Sequence, residues 1–393
     1  MIAEFSFLAW YLGLSVPLYW ALPATWPGLR RAFLVVVSIL LLWMLSPFIL
    51  AVVAFYALIV LGFGAAISAG VARKTLKSVS WGVFIPLVLV EFVPVDLLTS
   101  GLLGPRAIEI AGIRGFALLG LSYTAIRCFI MCRETIDGPR PTTLETVSAF
   151  VFFGSFVAGP IAGAAPFRKP ANHLSLDDAL TGFARIGWGA AVFLVLRAAV
   201  AQADVTGWIG IEPQGTAAAW VETYRAFLVL YLDFAGYTEI AIGTALLFGI
   251  RMPENFRYPF LARSMQEFWQ RWHLSLGAFI GTYLFKPLVR SYGKPTVAIF
   301  LAFVIVGLWH RFALPYFLWG IGHGAGLALG MYLRKRAALK TPAAAPKSPA
   351  MTMIENGAGW LFTMSYVAIL SRFATSPDIG TAGRYILSLV GGG

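Results

Sequence analysis

Residues 231–273 read YLDFAGYTEIAIGTALLFGIRMPENFRYPFLARSMQEFWQRWH, and the contrast within this stretch decides the class of fold. Its first half is an apolar run of Phe, Tyr, Leu and Ile that nevertheless carries two acids, Asp233 and Glu239. From Arg251 onward, arginines, acids and aromatic rings crowd together. Ionisable groups inside a membrane-length apolar run are costly, which makes them functional candidates by default.

The rest of the chain supplies the bilayer that this reading needs. Of its 393 residues 59% are hydrophobic and 12% charged, against roughly 25% charge in soluble domains. The mean hydropathy is +0.78. These values place it among all-α, polytopic membrane proteins, because only helices or closed barrels satisfy their backbone groups in lipid. Apolar segments are read at about 5–22, 32–46, 49–71, 80–99, 113–133, 143–163, 179–202, 220–250, 270–288, 295–310, 315–333 and 357–376, against the roughly 20 residues that a crossing requires. The segment 32–46 stops at Pro47 and would reach only about 22 Å, so it reads as short, tilted or re-entrant. Gly154, Gly159, Pro160 and Gly163 give 143–163 the composition of a broken helix lining a cavity.

The net charge of +12 does not point to nucleic acid, because the basic residues are scattered between apolar segments as loop charges and interfacial anchors. Arg30 and Arg31, with Arg73, Lys74 and Lys77, fall on one side, which the positive-inside rule makes cytoplasmic and which leaves the N-terminus outside. Cys128 and Cys132 have no His or further Cys at ligand spacing, so they read as packing residues and no metal site is expected. Glu4 stands where a basic n-region would be, so the first segment reads as a retained span. Residues 1–393 read as one polytopic domain with the charged motifs at 220–330. Arg334–Ala350, rich in Ala, Pro and Lys, reads as a mobile polar loop.

Three of four histidines, His273, His310 and His323, lie in the last third beside Trp or Gly; His173 sits in a polar loop. Histidine titrates closest to neutrality and can take a proton from a hydroxyl and return it to a leaving group. His310 ends an apolar run, where it could equally be a buried histidine bonded to a carbonyl. Pro315 breaks any continuation, and on one continuous helix His310 and His323 would lie about 20 Å apart on nearly opposite faces, so they do not read as a pair. His273 follows Trp269, Arg271 and Trp272, which together also describe an interfacial anchor. Asp233 and Tyr237 share a helix face, where the carboxylate could accept the phenol proton, while polar residues of this kind also join membrane helices.

The wording Asp233-Phe234-Ala235-Gly236-Tyr237, Pro253-Glu254-Asn255-Phe256, Glu267-Phe268-Trp269, Arg271-Trp272-His273 and Gly307-Leu308-Trp309-His310, followed by WGIGHG at 319–324, resembles the membrane-bound O-acyltransferase (MBOAT) family. The likeness is to the bacterial branch that O-acetylates alginate and other exopolysaccharides or D-alanylates teichoic acid. It implies a bundle with short, broken or re-entrant helices around a central cavity, in a bacterial cytoplasmic (inner) membrane. It also implies His310 as the catalytic base and His273 as the second histidine, with Trp309, Asp233, Tyr237, Trp272 and His323 binding substrate or supporting those that do. The implied donor is an acyl thioester on acyl-carrier protein or acyl-CoA at the cytosolic face, with no bound cofactor. The implied acceptor is an envelope polymer or an accessory acyltransferase outside. Arg311 stands where the family usually has glycine, and the sequence GAFIGTYLFKPL lacks the Arg-Asp pair common in the exopolysaccharide enzymes. The DFAGY wording leans toward D-alanyl transfer and WGIGHG toward acetyl transfer. A transporter or channel is the alternative reading, since buried acids and broken helices also mark those proteins.

Overall fold

Apolar segments separated by proline, glycine and charge leave the backbone one way to satisfy itself in lipid, and among the described residues every regular element is helical. The computed structural model describes residues 2–45, 47–90, 114–156, 159–212, 214–340 and 348–391. In chain order the helices are α1 (Ile2–Ala21), α2 (Pro27–Leu45), α3 (Pro47–Ser68), α4 (Arg73–Val90), α5 (Arg114–Asp137), α6 (Thr143–Val151), α7 (Leu176–Gln202) and α8 (Thr216–Leu247). They are followed by α9 (274–292), α10 (Pro295–His310), α11 (Leu314–Lys340), α12 (Pro349–Thr375) and α13 (Ile379–Ser388). Four segments among the described residues are long and apolar enough to cross a bilayer, Pro27–Met44, Ile49–Ser68, Leu176–Gln202 and Thr216–Leu247. Leu40, Trp43, Phe55, Leu58, Leu180 and Phe183 stand exposed on three of them, as expected of side chains solvated by lipid.

The chain groups into two compact units: residues 1–190 with 237–253, and residues 191–236 with 254–393. In the first unit, the segment expected to be short at 32–46 is a 19-residue helix. It starts at Pro27, whose fixed φ suits a first helical turn, and the charged pair Arg30 and Arg31 is drawn into the helix instead of ending it. Arg30 is buried against the ring of Trp20 and donates to the carbonyls of Leu22 and Asn172 at 2.7 and 2.5 Å, so its charge serves backbone groups and not water.

The glycine-rich segment 143–163 is interrupted. Thr142 and Glu145 form a capping box at the start of α6, which ends after nine residues in a 3-10 turn at Phe153–Ser155. The carbonyls released by the break are met by Arg127 of α5, a fully buried side chain. Its Nη1 donates to Ala149 O at 2.9 Å and its Nη2 to Ser155 O at 2.7 Å. Phe129, Phe150, Phe152 and Phe156 of the same unit are also nearly inaccessible.

In the second unit, α10 and α11 form an antiparallel hairpin. A Cβ on Gly307 would stand 2.3 Å from Tyr316 O, and one on Gly320 2.6 Å from Phe303 O, so the two backbones touch where only glycine fits. The polar stretch expected as a loop from 334 is helical as far as Lys340, because Arg334–Lys340 contains no helix breaker and Pro342 comes only afterwards. Residues 341–347 of that expected loop, and 91–99 of the expected span 80–99, lie outside the described residues.

Candidate functional site

The loop 251–273 is knitted by its own charges before any other element is considered. Ser264 caps the short helix Met265–Trp269 by accepting from Glu267 N at 3.2 Å. Glu267 accepts the Arg263 backbone N–H at 2.8 Å and both Nε and Nη2 of Arg271, at 3.0 and 2.8 Å. The Arg263 N–H, followed by the Arg271 guanidinium, holds the Glu267 carboxyl below its ordinary pKa. Arg257 N then donates to Arg271 O at 2.8 Å, closing the loop on itself.

This scaffold fixes Trp272 and His273. Trp272 is buried, stacked on Phe227 and Phe268 with ring centres 5.7 and 5.4 Å away. It belongs to an aromatic core, and the interfacial-anchor reading of this stretch fails because neither Trp272 nor His273 reaches the surface. His273 adopts a left-handed backbone (φ 47°, ψ 57°) ahead of α9. That conformation costs a non-glycine residue about 1–3 kcal/mol and persists only where the surroundings enforce it. The enforcing partner is Asn255, completely buried, whose Oδ1 accepts Ser275 Oγ–H at 2.6 Å and Ser275 N–H at 3.4 Å. The same oxygen lies 3.3 Å from His273 Nδ1. An oxygen committed to accepting places the imidazole proton on Nδ1.

The α10–α11 hairpin supplies the other two histidines. His310 is the last residue of α10, and Arg311 follows in extended backbone (φ −166°), which any residue adopts, so the family's usual glycine is not needed here. The ring of His310 lies 4.5 Å from Trp309, 5.2 Å from Trp319 and 6.2 Å from Tyr316. His310 is exposed, while the neighbouring Trp309 is buried. Neither ring nitrogen of His310 is hydrogen-bonded to another described residue. His323 lies 4.4 Å from Trp319 and accepts at Nδ1 from Trp269 Nε1–H at 3.2 Å.

The helix does end before Pro315, as expected, and His310 and His323 lie on successive helices. The chain reverses at 311–313, and the hairpin brings both rings against Trp319. His310 is near enough to act electrostatically on both His273 and His323.

The acids are placed differently from their sequence reading. Asp233 faces Arg197 Nε at 3.1 Å instead of taking the Tyr237 phenol, and Glu239 faces Arg185 Nε at 3.5 Å. Both arginines come from α7, whose contribution the local wording of 231–273 could not reveal. Tyr237 lies close enough to Arg127 to interact with its charge. His173 is exposed. Sequence reasoning also missed Asn255, Trp269 and Trp319 as partners of the histidines. Their only signal was membership of the quoted motifs.

Comparison with known proteins agrees with the motifs. Residues 146–371 match MBOAT, the membrane-bound O-acyltransferase family. A probable alginate O-acetylase of Pseudomonas fluorescens is 30% identical over 294 residues, covering 70% of this chain and 55% of the relative. The peptidoglycan O-acetyltransferase of Helicobacter pylori is 29% identical over 271 residues, 64% of this chain and 49% of the relative. The teichoic acid D-alanyltransferase of Bacillus subtilis is 28% identical over 225 residues, 53% of this chain and 57% of the relative. The chain spans about half the length of the alginate relatives it matches.

Proposed function

The chain belongs to the membrane-bound O-acyltransferase family, and on that premise we propose that it is a multi-pass enzyme of a bacterial cytoplasmic membrane that moves an acetyl or D-alanyl group from a thioester donor to hydroxyls of an extracytoplasmic envelope polymer. The observation that carries this reading is His310, which is exposed and has both ring nitrogens unbonded to any other described residue. Such a ring is available for proton transfer, whereas a structural histidine is held through its nitrogens.

In the proposed reaction His310 takes the proton of an acceptor hydroxyl as the oxygen attacks the thioester carbonyl. The carbon–sulfur bond then breaks, and the departing thiolate takes the proton back from His310. No covalent enzyme intermediate is required. Trp309, Trp319 and Tyr316 wall the ring and limit the directions from which the two substrates reach it, which favours a reactive pairing. The donor, carried on acyl-carrier protein or on CoA, is made in the cytosol, and the acceptor is an envelope polymer or an accessory acyltransferase beyond the membrane.

Mass analysis of envelope polymers from cells with and without the protein tests the proposal. Loss of ester-linked acetate or of ester-linked D-alanine with the protein supports it and identifies the acyl group. Unchanged ester content of every kind overturns it.

A further inference from the structure

The two histidines that flank His310 are held in opposite tautomers. Asn255 Oδ1 fixes the proton of His273 on Nδ1, which turns the lone pair to Nε2. Trp269 does the reverse to His323: the indole N–H is a donor only, so Nδ1 of His323 must present its lone pair and the proton must sit on Nε2. That Nε2–H has no hydrogen-bond partner among the described residues. The ring cannot turn to find one, because Trp269, Trp319 and Phe303 surround it at 5.3, 4.4 and 6.3 Å between ring centres. His323 is buried as a residue, yet its Nε2 is not one of the inaccessible side-chain atoms that lack a partner, so the N–H stays reachable one aromatic ring from the proposed base.

We infer that His323 is a catalytic hydrogen-bond donor to the acyl carbonyl, and that Trp269 is the positioning residue that makes it one. The inference rests on the acyltransferase reading above. When the acceptor oxygen attacks, the carbonyl π electrons move to oxygen and leave a negative charge there. A fixed neutral N–H aimed at that oxygen stabilises the charge without reorganising, and a neutral imidazole serves this purpose elsewhere in enzymology. When the intermediate collapses, the electrons return, the thiolate leaves, and His323 has neither gained nor lost a proton. The division of labour follows from the bonds: His310 moves the proton, and His323, whose Nδ1 is occupied by Trp269, only donates.

The test compares ester-linked acyl content in cells carrying the full-length chain as wild type, His310→Ala, His323→Ala, His323→Gln, Trp269→Phe and the Gln/Phe double variant, each normalised to membrane-inserted protein. His323→Ala is expected to lose roughly 100- to 1,000-fold, the usual effect of removing one such donor. Trp269→Phe keeps the aromatic wall but frees the tautomer, and is expected to lose about 10- to 100-fold. Gln donates whatever its neighbour does, so in the His323→Gln background Trp269→Phe is expected to cost no further activity. A purely structural role for Trp269 would instead make the two losses multiply, and that result overturns the inference even if His323→Ala does not fold. Activity of folded His323→Ala within a few-fold of wild type also overturns it. A wild type that adds no ester overturns the acyltransferase reading itself, whereas an active wild type silenced by His310→Ala and not by His323→Ala overturns this inference alone.

Discussion

Arg127 and His310 are both polar side chains set deep in an apolar chain, and they are treated in opposite ways. Arg127 spends Nη1 and Nη2 on the carbonyls of Ala149 and Ser155, which the break after α6 leaves without helical partners. His310 ends its helix with no ring nitrogen bonded among the described residues and keeps its surface open. A buried polar group that satisfies backbone is part of the framework, and removing it strands its partners. A polar group left exposed and unbonded holds no part of the framework and is available when a substrate arrives. Polarity at membrane depth is thus a weak sign of function, and the state of its hydrogen bonds is the stronger one.

The contrast is breakable by substitution. His310→Ala is expected to reduce ester formation about 100- to 10,000-fold, the usual contribution of a general base, with normal amounts of inserted protein. Activity within a few-fold of wild type would move His310 to the framework side. Arg127→Met should behave in the reverse manner. It strands two buried acceptors at about 1–3 kcal/mol each, so folded protein in mild detergent should fall steeply and activity only in proportion. A stable but inactive Arg127→Met would show that a framework arginine had been misread. His273 stands between the two cases, since its Nδ1 is bonded while its ring neighbours His310 electrostatically. His273→Ala should lower turnover about 10-fold or more, and Gln, which still donates to Asn255, should lower it less. Equal and mild losses would place it with Arg127. The smallest effect is expected at Asp233, whose pair with Arg197 is part-exposed on both sides. Asp233→Asn should cost about 0–1 kcal/mol of stability and little activity. A fully stable, inactive Asn variant would move Asp233 into the chemistry.

What the sequence revealed follows from the range of each signal. Composition and segment length act along the chain, so the all-helical membrane class, the interruption near Gly154–Gly163 and the end of α10 at His310 were legible. Local breakers were less reliable: Pro47 suggested a truncated span, but Pro27 had already started α2 well before the apolar run. Asp233 and Tyr237 looked like partners because they share a helix face, yet Arg197, 36 residues earlier, supplies the charge. The break between His310 and His323 was legible from Pro315, but not that the reversal would set both rings against Trp319. The pairing needed the close approach at Gly307 and Gly320, two glycines among 40, and nothing in a single sequence says which glycines meet.

The wide turn inside α9 has a consequence for register. Residues Ile280–Phe285 form a π segment between α-helical pieces, Leu274–Phe279 behind His273 and Lys286–Tyr292 ahead of the turn into α10. Such a turn accommodates one residue more than an α-helix uses. Deleting one residue from it would let the whole stretch become α-helical while rotating the two ends against each other by about 100°. The helix would be more regular and its two termini mutually misaligned, with His273 at one end and the approach to His310 at the other. An irregularity that lowers the quality of a helix is, in this arrangement, the phase correction between two histidines.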